Sequence, residues 1–142
     1  MRPWKAAARA ALSCFACALA SCSLGGVNPD NASALDAIAH GQSGTEVTVE
    51  GPVVRVLSTH SGAQGVHEQF IVAVRANNTE QDVLVADNIS IGRAAPVHQG
   101  DDVTVRGELA IDPGGPVIHW THNDPRGRHQ SGFVRLGGVL YD

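Results

Sequence analysis

The sequence predicts an all-β domain, a small OB-like barrel of five to six strands preceded by a short N-terminal helix. Glycine is abundant, with 16 of 142 residues, whereas aromatic residues make up only 4%. This balance suits short strands and turns better than long packed helices. From residue 47 onward, apolar residues recur at the two-residue period of half-buried strands. A longer connection after the third strand favours a nearly closed barrel, with an open sandwich as the alternative.

A short helix is expected at the start of the domain. Asp30 or Asn31 is suited to its N-cap, because a short polar side chain accepts hydrogen bonds from backbone N–H groups of the first turn. Apolar residues follow at the i, i+3 and i+4 spacing of one helix face, from Leu35 to Ala39. Gly41 is suited to end the helix, since glycine adopts the left-handed backbone that commonly follows one.

The strands are predicted from short apolar segments that are separated by turn residues. In chain order they cover residues 47–56, 70–74, 83–86, 103–109, 117–122, 133–136 and 139–141. The first is expected to be broken or bulged at Gly51-Pro52, because glycine and proline interrupt regular pairing. Turns are expected at 59–65, at Asn77-Asn78, at 112–115 and at 124–127.

The first 21 residues are interpreted as a lipoprotein signal peptide. A basic start with Arg2, Lys5 and Arg9 precedes an apolar run, which is shorter than the about 20 residues needed to cross a bilayer. Residues 19–22 read Leu-Ala-Ser-Cys and resemble a bacterial lipobox, in which the cysteine thiolate takes up the lipid. We therefore expect Cys22 to be the lipidation site. An ordinary signal peptide cut after an alanine is the alternative.

The domain organisation follows from this interpretation. Residues 22–30 are small and polar and are expected to form a tether, and residues 31–142 are expected to form a single β-barrel domain. Resemblance to Gram-negative lipoproteins implies that Ser23, after the acylated cysteine, directs the protein to the outer membrane. The protein is thus expected to be exported and anchored by lipid to the bacterial cell envelope.

Charge and cysteine content exclude several classes of protein. Without the signal peptide, seven basic residues oppose fourteen acidic ones, a balance of −7, and no lysine remains. A nucleic-acid partner is not expected, because binding a phosphate backbone requires a cationic surface. All three cysteines lie at or before Cys22. The exported domain is therefore expected to have no disulfide, and any metal site in it must use histidine and carboxylate ligands.

One histidine-rich segment carries a resemblance to a known family. Residues 114–125 read GGPVIHWTHNDP and are followed by His129 and by Gly132-Phe133. The segment resembles the bacterial family called domain of unknown function 3465, small exported proteins with an HWTH-x-DP-x-x-x-H pattern. The resemblance extends over nearly all of residues 35–141. It implies the fold and the export but no activity, since none is attached to the family name.

The same segment contains candidate ligands of a metal ion. His122 and His129 flank the turn at 124–127, so their imidazoles are expected about 5 Å apart across a hairpin, with Asp124 between them. Two imidazoles and a carboxylate form a three-ligand set for zinc or another divalent ion, with an open position for an activated water. The alternative is architectural, because Asp124 also suits an Asx-turn and two arginines in the loop would repel a cation.

His119, Trp120 and His67 are further candidate site residues. Successive side chains of a strand point to opposite faces. His119 and His122 would therefore not share a metal unless the strand bends at Thr121. His67 begins the second strand, and in a barrel it could approach the hairpin that carries the other histidines.

The function predicted from these features is non-catalytic, the binding of an envelope ligand or partner protein near the histidine-rich segment. The exported part contains no serine-hydrolase elbow, P-loop or HExxH zinc motif. One alternative is a metal-dependent hydrolase that uses His122, His129 and Asp124 as ligands. The other is a purely structural component of the envelope.

Overall fold

The computed structural model describes residues 27–142, which contain one helix and eight β-strands. The elements are α1 (Asn31–Ala39), β1 (Thr45–Val56), β2 (His60–Gly62), β3 (Gly65–Ala76), β4 (Thr79–Asn88), β5 (Asp102–Asp112), β6 (Gly115–His119), β7 (Phe133–Leu136) and β8 (Val139–Tyr141). The predicted all-β class with a short helix before the strands is confirmed. The predicted signal peptide and Cys22, the predicted lipidation site, lie outside the described residues. No helix within residues 27–142 is long and apolar enough to cross a membrane.

Five of the strands close into a barrel. The order around the ring is β1-β3-β4-β6-β5, and β1 pairs again with β5 to close it. The β4–β6 pairing is parallel, and the other four pairings of the ring are antiparallel. This arrangement is the OB-like barrel that the sequence predicts. Strands β7 and β8 extend the sheet beyond β5, and β2 forms a short hairpin with the start of β3.

Strand β1 pairs with two partners because it bends near its middle. It pairs with β5 up to Pro52, and from Val53 onward it pairs with β3. A side chain at Gly51 would place its Cβ 2.2 Å from the Ala73 carbonyl oxygen, so this close crossing requires glycine. The irregularity in pairing lies between Val53 and Arg55. At Gly51-Pro52, where the sequence predicts an interruption, the strand changes its pairing partner, and the irregularity in register comes directly after this point.

The core of the barrel consists mainly of β-branched residues at alternate strand positions. Val72 and Val74 of β3 and Val83 and Val85 of β4 are almost completely buried, as expected for side chains on one face of a strand. Helix α1 packs against β1 and β3 with Leu35 in the core cluster. The apolar face of the helix therefore completes the core of the barrel.

The helix begins at the residue that its capping chemistry predicts. Asp30 is the N-cap, and its Oδ1 accepts the Ser33 N–H at 3.0 Å. Asn31 has a different function, because its side-chain amide donates to the Glu50 carbonyl oxygen at 2.9 Å and ties the helix to β1. Gly41 follows the helix with a φ of 65°, in the left-handed region.

Two predicted turns have different outcomes. Asn77 and Asn78 connect β3 to β4 with φ values of 49° and 62°, which are the two left-handed residues of a type I′ hairpin. The turn predicted at 59–65 is correct only in part. His60–Gly62 pairs with the start of β3 and forms β2, because the segment is long enough to fold back on itself.

Strand β6 is shorter than the predicted strand 117–122. It ends at His119, because Trp120 has a φ of 57°. A left-handed residue turns the chain out of the extended path. Strand alternation therefore does not apply beyond His119. The sequence named a bend at Thr121 only as the condition for a metal shared by His119 and His122, and the chain turns one residue earlier, at Trp120.

Candidate functional site

A cavity of about 270 Å³ lies on the outer face of the barrel, beside β3, β4 and the end of β6. We call it the His–Trp pocket, and its lining residues are Gln64, His67, Ala86, Asn88, His119, Trp120 and His122. Four of these are candidate site residues from the sequence, namely His67, His119, Trp120 and His122. The structure thus brings together residues from three separate parts of the chain. His129 contacts the pocket through the indole of Trp120.

Strands β3 and β4 position one side of the pocket. His67 and Asn88 are register partners across this antiparallel pair, so their side chains are neighbours on the same face. Ala86 lies two residues before Asn88 and faces the same way. The residue between them, Asp87, is in phase with the core residue Val85 and points into the barrel. The pocket and the core therefore lie on opposite faces of the same two strands.

A left-handed turn at Trp120 forms the other side of the pocket. His119 precedes the turn and His122 follows it, and both reach the cavity. Gly132 makes this arrangement possible, because a Cβ there would lie 2.0 Å from the Trp120 carbonyl oxygen. The Gly132 N–H also donates to the His122 carbonyl oxygen at 2.9 Å. A positive φ is strained for a bulky residue, and strain of this kind concentrates at functional sites.

Two imidazoles hold the indole of Trp120. The His129 ring lies 4.6 Å from it between centroids, and the His122 ring lies edge-on at 6.0 Å. The two imidazoles are 4.8 Å apart and perpendicular to each other. Aromatic pairs at these separations attract one another beyond the effect of burial. Trp120 nevertheless remains 43% exposed, so part of its surface is free to contact a ligand.

The hydrogen bonds of the imidazoles define their chemistry. The Nδ1 atom of His122 lies 2.9 Å from the Asn123 carbonyl oxygen, and that of His129 lies 2.7 Å from the Gln130 carbonyl oxygen. Because a carbonyl oxygen accepts, Nδ1 donates in both rings. The Nε2 atom of His129 faces the Asp124 carboxylate, with 3.8 Å between Nε2 and Oδ2, so the structure brings these two predicted ligands close together. Burial lowers the pKa of His119, which favours its neutral form.

Asp124 is engaged by the backbone of its own loop. Its carboxylate accepts the N–H groups of Arg126 and His129, each at 3.0 Å, and that of Arg128. Burial raises the pKa of Asp124, but these N–H groups together outweigh it and lower that pKa overall. Residues 27–142 contain no group of three or more His, Cys, Asp or Glu side chains that could hold a metal ion. The set of His122, His129 and Asp124 stays a prediction.

The sequence did not identify three of the lining residues, Gln64, Ala86 and Asn88. Two of them are held together, because the Asn88 Nδ2 group donates to the Gln64 carbonyl oxygen at 2.9 Å. Asn88 could have been found from its position in the alternation of strand side chains. If the strand that was predicted at 83–86 is extended by two residues, alternation places Asn88 on the outer face with Ala86.

Fold and pocket together define the class, a small OB-type barrel with a cavity on its outer face. The sequence profile of DUF3465, a family of proteins of unknown function, matches residues 17–142. The chain belongs to this family, as the histidine-rich segment predicts. Among solved structures, the small single-stranded DNA-binding protein from Streptomyces coelicolor is similar, with 20% identity, a TM-score of 0.40, and 54% of this chain and 87% of that chain covered. No curated protein matches the sequence.

Proposed function

We propose that this protein is a non-catalytic binding module of the cell envelope and that its ligand binds in the His–Trp pocket. Trp120 is the observation that carries the proposal. Its backbone is held in a strained conformation, and its side chain is nevertheless exposed beside a cavity. A tryptophan that served only the core would be buried and would not need this strain. Apolar cavities with a few convergent polar groups are typical ligand sites.

The lining of the pocket favours a neutral ligand rich in hydroxyl groups, such as a saccharide. Within residues 27–142, no Asp, Glu, Lys or Arg lines it. Imidazoles and amides supply hydrogen-bond donors and acceptors, and the indole supplies an apolar surface. By fold-level analogy, OB barrels bind oligosaccharides and oligonucleotides on the outer face of their second and third strands, which are β3 and β4 here. The acidic exported chain favours the saccharide over a nucleic acid.

The fluorescence of Trp120 tests this proposal. The chain has two tryptophans, Trp4 and Trp120, so the full chain with Trp4→Phe reports on the pocket alone. We expect triacetylchitotriose and cellotriose to shift or quench the emission, and trigalacturonic acid, which is anionic, to leave it unchanged. If none of these probes changes the emission, the proposed ligand class is wrong and a structural component becomes the better interpretation.

A matched pair of histidine variants locates the binding site. His67→Ala removes an imidazole from the lining and is expected to raise the dissociation constant of a bound probe about tenfold, the effect of one lost hydrogen bond of about 1.4 kcal/mol. His98→Ala is the control, because its side chain is 82% exposed and lies outside the pocket. Equal affinities in the two variants would place the ligand elsewhere.

We further propose that acyl chains on Cys22 anchor the protein to the envelope. The basic start, the apolar run and the Leu-Ala-Ser-Cys sequence support this assignment. Each buried CH₂ contributes about 0.8 kcal/mol, so several acyl chains anchor a protein stably. Cys22→Ser is expected to abolish incorporation of labelled palmitate, whereas Cys17→Ser in the signal peptide should retain it. Labelled palmitate on the Cys22→Ser chain would contradict the assignment.

A further inference from the structure

Two carboxyl groups lie opposite each other beneath the His–Trp pocket. Glu68 of β3 and Asp87 of β4 are register partners. Glu68 is in phase with the core residue Phe70, and Asp87 is in phase with Val85 and is only 1% exposed. Side chains that are directly opposite on one face have Cβ atoms about 5 Å apart, and like charges there are destabilising. Asp87 is buried and Glu68 is half-buried, so two ionised carboxylates in this position would repel each other with less screening than on the surface.

The hydrogen bonds of the pair leave one atom without a partner. The Thr121 hydroxyl donates to Asp87 Oδ1 at 2.7 Å, and the Ala95 N–H donates to Glu68 Oε1 at 2.8 Å. Within residues 27–142, Asp87 Oδ2 is buried and accepts no hydrogen bond. A buried acceptor that is left unsatisfied costs about 1–3 kcal/mol, and more when it is charged. A proton on Glu68 Oε2 would supply the missing donor.

The electrostatics of the two groups agree with this reading. Burial, reinforced by the neighbouring Asp87 carboxyl, raises the pKa of Glu68 to about 7, although the Ala95 N–H acts in the opposite direction. Burial also raises the pKa of Asp87, and the hydrogen bond from Thr121 and the neighbouring Glu68 carboxyl act in the opposite direction. Because the groups interact strongly, they titrate as a pair, and one proton is retained well above the ordinary range of a carboxyl.

The titratable and charged groups on the surrounding elements do not replace this proton. These groups are Arg55, His60, His67, Arg93, His98, His119 and His122. The three pocket histidines line the cavity on the opposite face, and Arg55 and His60 are exposed. His98 faces Asp101, with 3.6 Å between Nδ1 and Oδ2, and Arg93 lies over the Tyr141 ring. A shared proton is the partner that fits Asp87 Oδ2.

We propose that Glu68 and Asp87 share one buried proton and that this proton controls the His–Trp pocket. Thr121, which donates to Asp87, lies between two residues that line the pocket, and Asp87 itself lies between two others. Loss of the proton places two negative charges beneath the pocket. The repulsion drives Glu68 away from Asp87 and further into a second cavity, which Glu68 already lines together with residues 94–98. The effect on ligand affinity rests on the proposed function, whereas the shared proton does not.

The direction of the pH effect follows from the raised pKa. The folded chain holds the Glu68 proton more tightly than the unfolded chain, in which the ordinary pKa of 4.5 applies. The folded state therefore binds more protons between the two values, and stability falls as the pH rises through this range. The contribution of the pair is fully present below pH 4.5 and is lost above a pH of about 7.

Carbon-13 NMR of the side-chain carboxyl groups in the full chain tests the shared proton. One glutamate should titrate near pH 7, and its signal should be absent in Glu68→Gln. The melting temperature of the parent chain should fall between about pH 5 and about pH 8. That of Glu68→Gln should not fall over this range, because its amide donates to Asp87 Oδ2 at every pH. Glu50→Gln, at an exposed glutamate, is the control. A parent spectrum in which neither Glu68 nor Asp87 retains its proton above the ordinary range of a carboxyl overturns the proposal.

A second variant keeps this test independent of the folding of the first. Asp87→Asn supplies the same hydrogen bond from the other strand, because its amide donates to Glu68 and its oxygen still accepts from Thr121. It should also remove the fall in melting temperature above neutral pH. A fall in Asp87→Asn equal to that of the parent chain overturns the shared proton.

The fluorescence of Trp120 tests the link to the pocket. In the Trp4→Phe chain the emission should change with a midpoint near pH 7, and adding Glu68→Gln should remove the part of this change that loss of the shared proton causes. The dissociation constant for triacetylchitotriose should rise by up to about tenfold per pH unit above the midpoint, the limit for loss of one proton. An unaltered pH dependence in Glu68→Gln overturns the link. If the carboxyl titrates as expected but no probe binds, the ligand class is wrong and the shared proton stands.

Discussion

The position of the Trp120 indole depends on Gly132, a residue that has no side chain. The Trp120 carbonyl oxygen occupies the space in which a Cβ of residue 132 would lie. The contact is between two backbone segments, so no change of rotamer relieves it. The same glycine donates its N–H to the His122 carbonyl oxygen. The strained turn and Gly132 therefore depend on each other.

Gly132→Ala is expected to lower the free energy of unfolding by about 1–3 kcal/mol, because a closely packed site has to move to accept one methyl group. Urea unfolding followed by circular dichroism measures this change. Gly114→Ala is the matched control, since a Cβ at Gly114 meets no atom within 4 Å. Equal stabilities of the two variants would show that the backbone crossing is not as tight as the structure has it.

The histidines show which features of the site can be predicted from residue types alone. The sequence identifies His119 and His122 as candidate site residues because they lie in the histidine-rich segment, and His67 because it begins a strand that could approach that segment. It also places His119 and His122 on opposite faces of one strand, unless the strand bends. The chain turns at Trp120, and both side chains line one pocket. The turn depends on Gly132, which is distant in sequence, so local periodicity does not contain it.

The sequence analysis did not predict the pairing of Glu68 with Asp87, although the sequence contains a pattern that indicates it. Glu68 precedes Phe70 by two residues, and Asp87 follows Val85 by two, so each has the phase of a core residue. Strand register is also needed to place the two residues opposite each other. The hairpin at Asn77-Asn78 sets this register, and the pairing of Glu68 with Asp87 follows from it by counting outward.

At the scale of the element, the β3–β4 hairpin is a part of the fold that its own sequence specifies closely. Both loop residues are asparagines with positive φ values. Asparagine tolerates the left-handed region better than other residues with a side chain, because its short polar group bonds locally. The type I′ turn and the register of β3 against β4 therefore follow from two residues.

Asn78→Val is expected to lower the free energy of unfolding by about 1–2 kcal/mol, because a β-branched side chain is strained at its φ of 62°. Asn78→Gly should retain or slightly increase the stability, since glycine is the preferred second residue of this turn. Thermal unfolding of both variants measures the difference. If the valine variant is as stable as the glycine variant, residue 78 does not adopt the left-handed conformation.

At the scale of the whole molecule, the barrel has to be stable without covalent links. All three cysteines lie at or before Cys22, and residues 27–142 contain none. A continuous core cluster extends through β1, β3, β4, β5, β6 and β7 and includes helix α1. Burial of these apolar side chains supplies the main favourable free energy of folding.

Replacing Cys14, Cys17 and Cys22 together by serine is expected to leave the melting temperature of the full chain within about 1 °C of the parent value, because the core cluster of residues 27–142 contains no cysteine. A reducing agent should likewise have no effect on the parent chain. Differential scanning calorimetry with and without the reductant measures both. A melting temperature that depends on the reductant would show that a disulfide contributes to the fold.

The sequence by itself determined the fold class, the family, a helix cap at Asp30 or Asn31, the hairpin turn at Asn77-Asn78 and four of the seven residues that line the pocket. These features depend on neighbours in the chain, through side-chain alternation, capping and the few residues that tolerate positive φ. Only the tertiary structure decided that the chain turns at Trp120, that His67 joins His119 in one cavity, and that Glu68 lies opposite Asp87. These arrangements depend on backbone crossings and strand register between distant segments, and no local pattern encodes such contacts.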